Sequence, residues 1–305
     1  MTTTDAVETF EGQRGRLFGL AYRLLGSAAE AEDAVQEAFL RWNGADQEQI
    51  ASPPAWLTKV VTNLCLTALT SARARRERYV GPWLPEPVET SGDALGPLDT
   101  VERRDSVSFA LLVLLERLTP AERAVFVLRE AFGYGYGDIA RTLDLSEPNC
   151  RQLYHRAGER VREGRARFGA DDGKRRELVE RFLDAAQDGE LRGLEELLAA
   201  DVTIWSDGGG KVSAARRPIT GRDKVLRLLE GVARHFVRMR VERAEINGGS
   251  ALLFWTGDEL RMVLVPDLTD DGTAVSDLRL VANPDKLEHL ARRLGGVTPR
   301  DLAWP

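Results

Sequence analysis

Helical patterning along the first half of this chain is broken sharply by YVGPWLPEPVETSGDALGPLD (79–99), with four prolines and three glycines in one stretch. Proline lacks an N–H and holds φ near −65°, so such a run ends a helix and cannot join a strand ladder. No single helical bundle can be threaded through it. The chain is therefore expected to divide into a domain at 1–78, a linker at 79–106 and a second helical domain at 107–168, with a third region at 174–305 beyond the polar segment Gly169–Gly173. A length of 305 residues suits two or three domains. Trp83 and Leu84 are poor residues for a solvated spacer, so the linker is expected to dock.

In the first domain, Ser27-Ala28-Ala29-Glu30 reads as a capping box. Behind it Ala31, Val35, Ala38 and Trp42 recur at helical spacing and make one apolar stripe. Glu30, Asp33 and Glu37 fall on another face, which as an acidic stripe alone would be solvated surface. A second helix follows Pro53-Pro54, opens near Trp56 and ends in the basic run Arg73–Arg78.

In the second domain, Thr119-Pro120-Ala121-Glu122 is a capping box with proline at the first helical position. A helix to about Ala131, the turn GYGYG, a short helix over Asp138–Leu143 and a turn at Asp144-Leu145-Ser146 precede a longer helix from Glu147 to about Phe168. A short helix, a tight turn and a longer basic helix make a helix-turn-helix. Glu147–Arg167 carries six arginines against three acids. Asn149, Arg151, Gln152, His155 and Arg156 lie in its first turns, where a major-groove helix meets base edges. Arginine pairs with guanine there, and asparagine or glutamine with adenine. Arg160 and Arg162, further along, suit phosphate.

The third region reads as helices at 174–187 and 190–199, a strand Val202–Trp205, a helix near 222–236, and strands near 238–246, 250–256, 260–266 and 275–282. Turn signals such as Asn247-Gly248-Gly249 separate them, so an α+β domain with an antiparallel meander is expected. The run Asp207-Gly208-Gly209-Gly210-Lys211 suggests a phosphate loop. Val212 stands where such a loop needs Ser or Thr, however, and no helix starts before about Gly221. A tight turn between strands fits better.

Composition narrows the function classes. No apolar run spans a bilayer, and the acidic, polar N-terminal stretch lacks the pattern of an export signal, so a cytoplasmic protein is expected. Cys65 and Cys150 lie within helical patterns and are expected as reduced, half-buried thiols. The three histidines are scattered, which argues against a metal site; no cofactor is expected. A net charge of −6 argues against a chain that coats nucleic acid unaided.

Taken in order, AEDAVQEAFLRW (31–42), PPAWLTKVVTNLCL (53–66) and LTPAERAVFVLREAFGYGYGDIARTLDLSEPNCRQLYHRA (118–157) resemble an extracytoplasmic-function (ECF) sigma factor over nearly all of 10–168. The third region resembles SnoaL-like domains, cone-shaped α+β folds of the nuclear-transport-factor-2-like superfamily. WLPEP (83–87), DGGGK (207–211) and NPDKL (283–287) together resemble the SigJ-like group, which carries such a domain fused at its C-terminus. The fold class implied is two all-α sigma domains, a region 2 bundle and a region 4 helix-turn-helix, followed by that cone.

The resemblance implies a promoter-recognising factor, not an enzyme, whose partners are core RNA polymerase and promoter DNA. It assigns polymerase binding to Asp33, Gln36, Glu37, Leu40 and Arg41, and contact with the opened strand to Trp56, Lys59 and Asn63, with the loop 43–54 receiving a flipped base. The recognition-helix residues Asn149, Arg151, Gln152, His155, Arg156 and Arg160 would read the minus-35 element. Thr67 departs from the family, where aspartate is common.

The same resemblance casts the C-terminal domain as a regulator in cis. Trp83, Leu84 and Pro85 of the linker, Asp207, Gly208, Gly209, Gly210 and Lys211 of the glycine loop, and Asn283, Pro284, Asp285 and Lys286 near the end would form a regulatory contact between domains. The glycine loop would touch either the sigma domains or the linker, with Trp83 and Lys211 sharing the contact, and the segment after Leu287, ending near Trp304, would latch it. Asp201, Trp205 and Asp207 are candidates to line a cavity in the cone for an unnamed small ligand. The free chain is expected to be monomeric. Two alternatives stay open: a one-component helix-turn-helix regulator with a ligand-binding domain, and an enzyme with a DNA-binding appendage.

Overall fold

The computed structural model describes residues 3–76, 78–91, 106–165, 172–188, 191–236, 239–269 and 271–298. The chain separates into two compact units, Met1–Glu77 with Gly92–Glu163 and Arg78–Ser91 with Gly164–Pro305. Residues 79–91, read from the sequence as the start of a linker, thus belong by their contacts to the C-terminal unit, as does Arg78, which was expected to close the first domain. The far end of the recognition helix at Phe168, the side chains of the basic run 73–76, and Trp304 lie outside the described residues.

The first unit opens with α1 (Thr3–Leu25), α2 (Ala28–Asn43) and α3 (Pro53–Arg76). The Ser27 hydroxyl accepts the Glu30 N–H at 3.1 Å, the serine half of the expected capping box, and starts α2. Ala31, Val35, Ala38 and Trp42 are all buried, and α3 answers with Leu57, Val61, Cys65 and Leu69 at four-residue spacing. The Trp42 indole N–H donates to the Ala6 carbonyl at 2.9 Å, which ties the end of α2 to the start of α1. Between α2 and α3 a short 3-10 turn, Gln47–Gln49, is capped by Asp46.

Helices α4 (Phe109–Leu115), α5 (Pro120–Glu130), α6 (Tyr136–Leu143) and α7 (Glu147–Arg165) complete this unit. The Thr119/Glu122 capping box at α5 is complete. Asp144 ends α6 in the left-handed region at φ 53°, and Ser146 accepts the Asn149 N–H to start α7. That turn sets the angle of the helix-turn-helix. Tyr136 belongs to α6 and not to the preceding turn, so this helix begins two residues earlier than its pattern suggests. Cys150, Leu153, Ala157 and Val161 bury the inner stripe of α7. Both cysteines are fully buried, more so than expected, because each stands on a core stripe; burial raises both thiols' pKa values, which keeps them protonated.

Glu122 does more than cap. Its buried carboxylate accepts the Thr119 N–H at 3.0 Å and pairs with Arg160 at 2.6 Å and Arg156 at 3.4 Å, which seats α7 on α5. Burial by itself would raise this carboxyl, but the Thr119 hydrogen bonds and the two arginines hold it below its ordinary value of 4.5. A depressed carboxyl stabilises the fold above its unfolded pKa and ceases to do so as pH falls through the folded one. Glu122→Gln is therefore expected to flatten the loss of stability below about pH 4.5. Urea unfolding at stepped pH measures this, and an unchanged acid limb would give the role to other groups.

The second unit contains α8 (Asp172–Asp188), α9 (Leu191–Leu197), β1 (Leu198–Asp207), β2 (Ile219–Thr220), α10 (Arg222–Phe236), β3 (Arg240–Ile246), β4 (Gly249–Thr256), β5 (Glu259–Leu268), β6 (Val275–Val281) and α11 (Pro284–Arg293). Among the described residues the strands form one sheet in the order β2-β1-β6-β5-β4-β3. The meander β3 to β6 is antiparallel, and its first turn is the Asn247-Gly248 pair with positive φ at both residues. β1, however, runs parallel to β6, so the sheet is mixed. One face packs Phe254, Met262 and Leu264 against Leu178 and Phe182 of α8 and Val225 of α10. Strand alternation sends Leu253, Val263 and Val265 to the other face, where α11 packs on β5 and buries Leu287, Leu290 and Ala291. Leu290 and Ala291, in the segment expected to act as a latch, are thus part of this core, and residues 299–305 of that segment lie outside the described residues.

Candidate nucleic-acid interface and linker clasp

Three groups of side chains carry the residues that the sequence singles out on the helical unit. On α2, Asp33, Gln36, Leu40 and Arg41 are exposed and Glu37 half-buried; Arg41 Nε pairs with Glu37 at 2.8 Å. Leu40 is 59% exposed, an apolar side chain standing in solvent amid charges. Helical spacing puts these residues on one side because the opposite stripe, Ala31 to Trp42, is in the core.

On α3, Trp56 is half-buried with its ring 5.7 Å from that of Trp42. Lys59 is engaged: its Nζ pairs with Asp144, in the turn of the helix-turn-helix, at 2.6 Å and donates to the carbonyl of Arg141, in the last turn of α6, at 3.1 Å. Asn63 is exposed one turn further on. Beside them the Arg16 guanidinium donates to Thr58 at 3.0 Å and to the Tyr134 hydroxyl at 2.6 Å.

Arg151, Gln152 and His155 on α7 are exposed and Asn149 half-buried. Arg151 pairs with Glu147 at 2.9 Å, and His155 lies 3.5 Å from Glu159. Arg156 and Arg160 differ. Their guanidinium groups reach Glu122, an inward carboxylate that sequence reading treated only as a cap. The capping box was the visible signal; the four-residue spacing of the two arginines was the other.

The three short motifs of the C-terminal unit meet in one cluster. Asp207, at the end of β1, is fully buried. Its carboxylate accepts the Tyr79 hydroxyl at 2.5 Å, the Leu84 N–H at 2.8 Å, the Gly209 N–H at 3.1 Å and Lys286 Nζ at 2.7 Å. Lys286 also donates to the Leu84 carbonyl, and its ammonium lies 4.2 Å from the Trp83 ring centre and 4.7 Å from that of Tyr79. Two aromatic faces and a carboxylate therefore enclose a lysine that is 6% exposed. Burial, then the adjacent Asp207 charge, raises the Tyr79 hydroxyl's pKa, so Tyr79 stays a donor. Asn283, the N-cap of α11, donates to the Tyr79 oxygen at 2.8 Å, and Pro284 follows at the first helical position. Leu84 and Pro85 are buried. Further along, Val88 and Asn247 exchange hydrogen bonds of 2.9 and 3.0 Å.

The glycines have a geometric reason. Gly209 and Gly210 have φ of 60° and 72°; a Cβ on Gly209 would fall 2.3 Å from Asn283 Nδ2, and one on Gly210 3.1 Å from Val80. The loop can therefore lie against the linker and the start of α11 only without side chains. Lys211 turns outward to Asp285 at 2.6 Å; the lysine at Trp83 is Lys286. Asp201, Trp205 and Asp207 do not share a cavity. Asp201 is exposed, the Trp205 indole donates to Asp277 at 3.0 Å, and Asp207 is consumed in the cluster. A cleft of about 710 Å³ lies instead at the β3 edge, between Glu89 and Ser91 on one side and Leu294–Gly296 on the other, over Arg240 and Trp255. Sequence reading missed Tyr79 and Asn247, whose only signals were a tyrosine in a proline-rich run and a hairpin Asn-Gly.

Comparison with known proteins agrees with this layout. Residues 9–75 match the Sigma-70 region 2 family and residues 108–160 the Sigma-70 region 4 family. The chain is 44% identical to the ECF RNA polymerase sigma factor SigJ of Mycobacterium tuberculosis over 231 residues, 75% of this chain and 74% of that protein. It is 33% identical to a probable ECF RNA polymerase sigma factor, SigI, of the same species, over 97% of this chain and all of that one. A crystal structure of Mycobacterium tuberculosis SigJ matches with a TM-score of 0.71 at 37% identity, covering 92% of this chain and 98% of that one.

Proposed function

The chain belongs to the ECF RNA polymerase sigma factors, promoter-recognising subunits that bind core polymerase and promoter DNA; we propose that its C-terminal sheet domain regulates initiation in cis by gripping the segment that joins the two sigma regions. The observation that carries this reading is the clasp: Tyr79, Trp83 and Leu84, which follow α3 directly in sequence, are held by Asp207 and Lys286. A joint taken up by a folded domain has less freedom than a solvated spacer, so the clasp biases which separations of regions 2 and 4 are reachable. Glycine spacing, buried carboxylate and aromatic sandwich all serve that grip. Asp33, Gln36, Glu37, Leu40 and Arg41 are the proposed polymerase contacts, and Trp56, Lys59 and Asn63 the proposed strand contacts. Arg151, Gln152, Asn149 and His155 are the proposed readers of the upstream element, with Arg156 and Arg160 holding the reading helix in place. Work of this kind is cytoplasmic, and it asks no catalysis of the chain. For a small ligand, the support is the cleft at Arg240 and Trp255 and not the packed face of the sheet.

Run-off transcription with purified core polymerase tests the reading. Lys286→Met, which keeps much of the side chain's bulk and removes its charge, is expected to change transcript yield upward; Lys211→Ala is expected to leave it unchanged. Equal yields from wild type and Lys286→Met would remove the regulatory role. The free protein is expected to bind promoter duplex weakly, with affinity falling steeply as salt rises, because it is acidic overall and basic only locally. Tight sequence-specific binding without polymerase would point instead to a one-component regulator.

A further inference from the structure

We propose that Tyr136, at the start of the first helix of the helix-turn-helix, is a positioning residue that sets the base preference of Arg151; this rests on the reading that Arg151 meets a base edge. An exposed arginine samples many rotamers, and fixing one costs side-chain entropy. Here the cost is met before DNA arrives. The Arg151 guanidinium lies 5.3 Å from the Tyr136 ring centre while its Nη2 donates to Glu147 at 2.9 Å. A guanidinium has five donors, so the remaining N–H groups stay free for a bidentate contact.

The ring is itself held by the scaffold. Arg129 of α5 lies 5.0 Å from its centre, and Tyr154 of α7 meets it edge-on at 6.0 Å. Tyr154 in turn stacks on Phe126 at 6.2 Å and donates its hydroxyl to Glu130 at 2.6 Å; burial, then that bond, raises its pKa to about 12. The Glu147 carboxylate has room because Gly137 has no side chain: a Cβ there would come within 3.0 Å of Glu147 Oε1. Position 136 thus passes the geometry of α5 and α7 to the arginine without touching DNA.

The test uses the full chain with core polymerase and a promoter set in which each base pair of the upstream element is substituted singly, read by competition binding. Arg151→Ala is expected to lose about 5- to 150-fold of preference at one G·C pair. Tyr136→Leu is expected to lose about 2- to 5-fold at that same pair and nothing elsewhere, Tyr136→Phe to retain the preference, and the double variant to be no worse than Arg151→Ala. Should Tyr136→Leu fail to fold, Glu147→Gln is expected to weaken preference at that pair alone. A uniform loss across all pairs, or an intact preference in both Tyr136→Leu and Glu147→Gln, overturns the positioning role. An Arg151→Ala variant without any base-specific loss overturns the base-reading premise itself.

Discussion

Asp207→Ala is expected to destabilise the C-terminal unit by roughly 3–5 kcal/mol, because it leaves the Lys286 ammonium buried without its counter-charge. The same change strips the acceptor from the Leu84 N–H and the Tyr79 hydroxyl, so the loss falls on the linker as well as on the sheet. Lys211→Ala offers the contrast: its partner Asp285 is 65% exposed, and a pair in that setting contributes about 0–1 kcal/mol. Thermal unfolding, together with limited proteolysis of residues 79–90, distinguishes the two. Asp207→Ala should open the linker to cleavage under conditions where Lys211→Ala does not. If both variants unfold and cleave like wild type, the clasp does not hold the linker.

Trp42→Ala is expected to cost about 3–5 kcal/mol of stability in the first unit, since it empties a fully buried site and removes the indole bond to the Ala6 carbonyl that ties α2 to α1. Trp56→Ala is expected to cost less stability, because that ring is only half-buried, yet to impair promoter opening more. An unpaired base stacking on an aromatic side chain contributes about 1–3 kcal/mol. Chemical denaturation ranks the first effect, and permanganate footprinting of the opened bubble reads the second. Unchanged permanganate reactivity in Trp56→Ala would make Trp56 a packing partner of Trp42 and nothing more. The two tryptophans share one contact, so the double variant is expected to be non-additive.

What was legible in the chain was whatever rests on neighbours within about a turn of helix or a hairpin. Ser27 starts α2, Thr119 and Glu122 start α5, and Asn247-Gly248 turns β3 into β4, each by a bond spanning a few residues. Periodicity likewise identified the buried stripes and, by difference, the face of Glu30, Asp33 and Glu37; Gln36, Leu40 and Arg41 were named by the family resemblance. The helix-turn-helix followed from those signals in order, and the family resemblance rested on the same residues.

The tertiary structure decided what pairs across long stretches of sequence. Lys211 and Lys286 both follow an aspartate within a short motif, and the motifs alone do not tell which one reaches Trp83. The packed structure does: Lys286 lies on the buried side of α11 with Leu287 and Leu290, whereas Lys211 is exposed. Asp207 finds Leu84 across more than a hundred residues, and β1 lies parallel to β6 because chain closure brings them together, not because either strand's pattern demands it. The same holds for Lys59, whose partner Asp144 comes from the helix-turn-helix. Local hydrogen bonds and side-chain period set the elements; contacts between residues far apart in sequence, which only the packed chain creates, chose their partners.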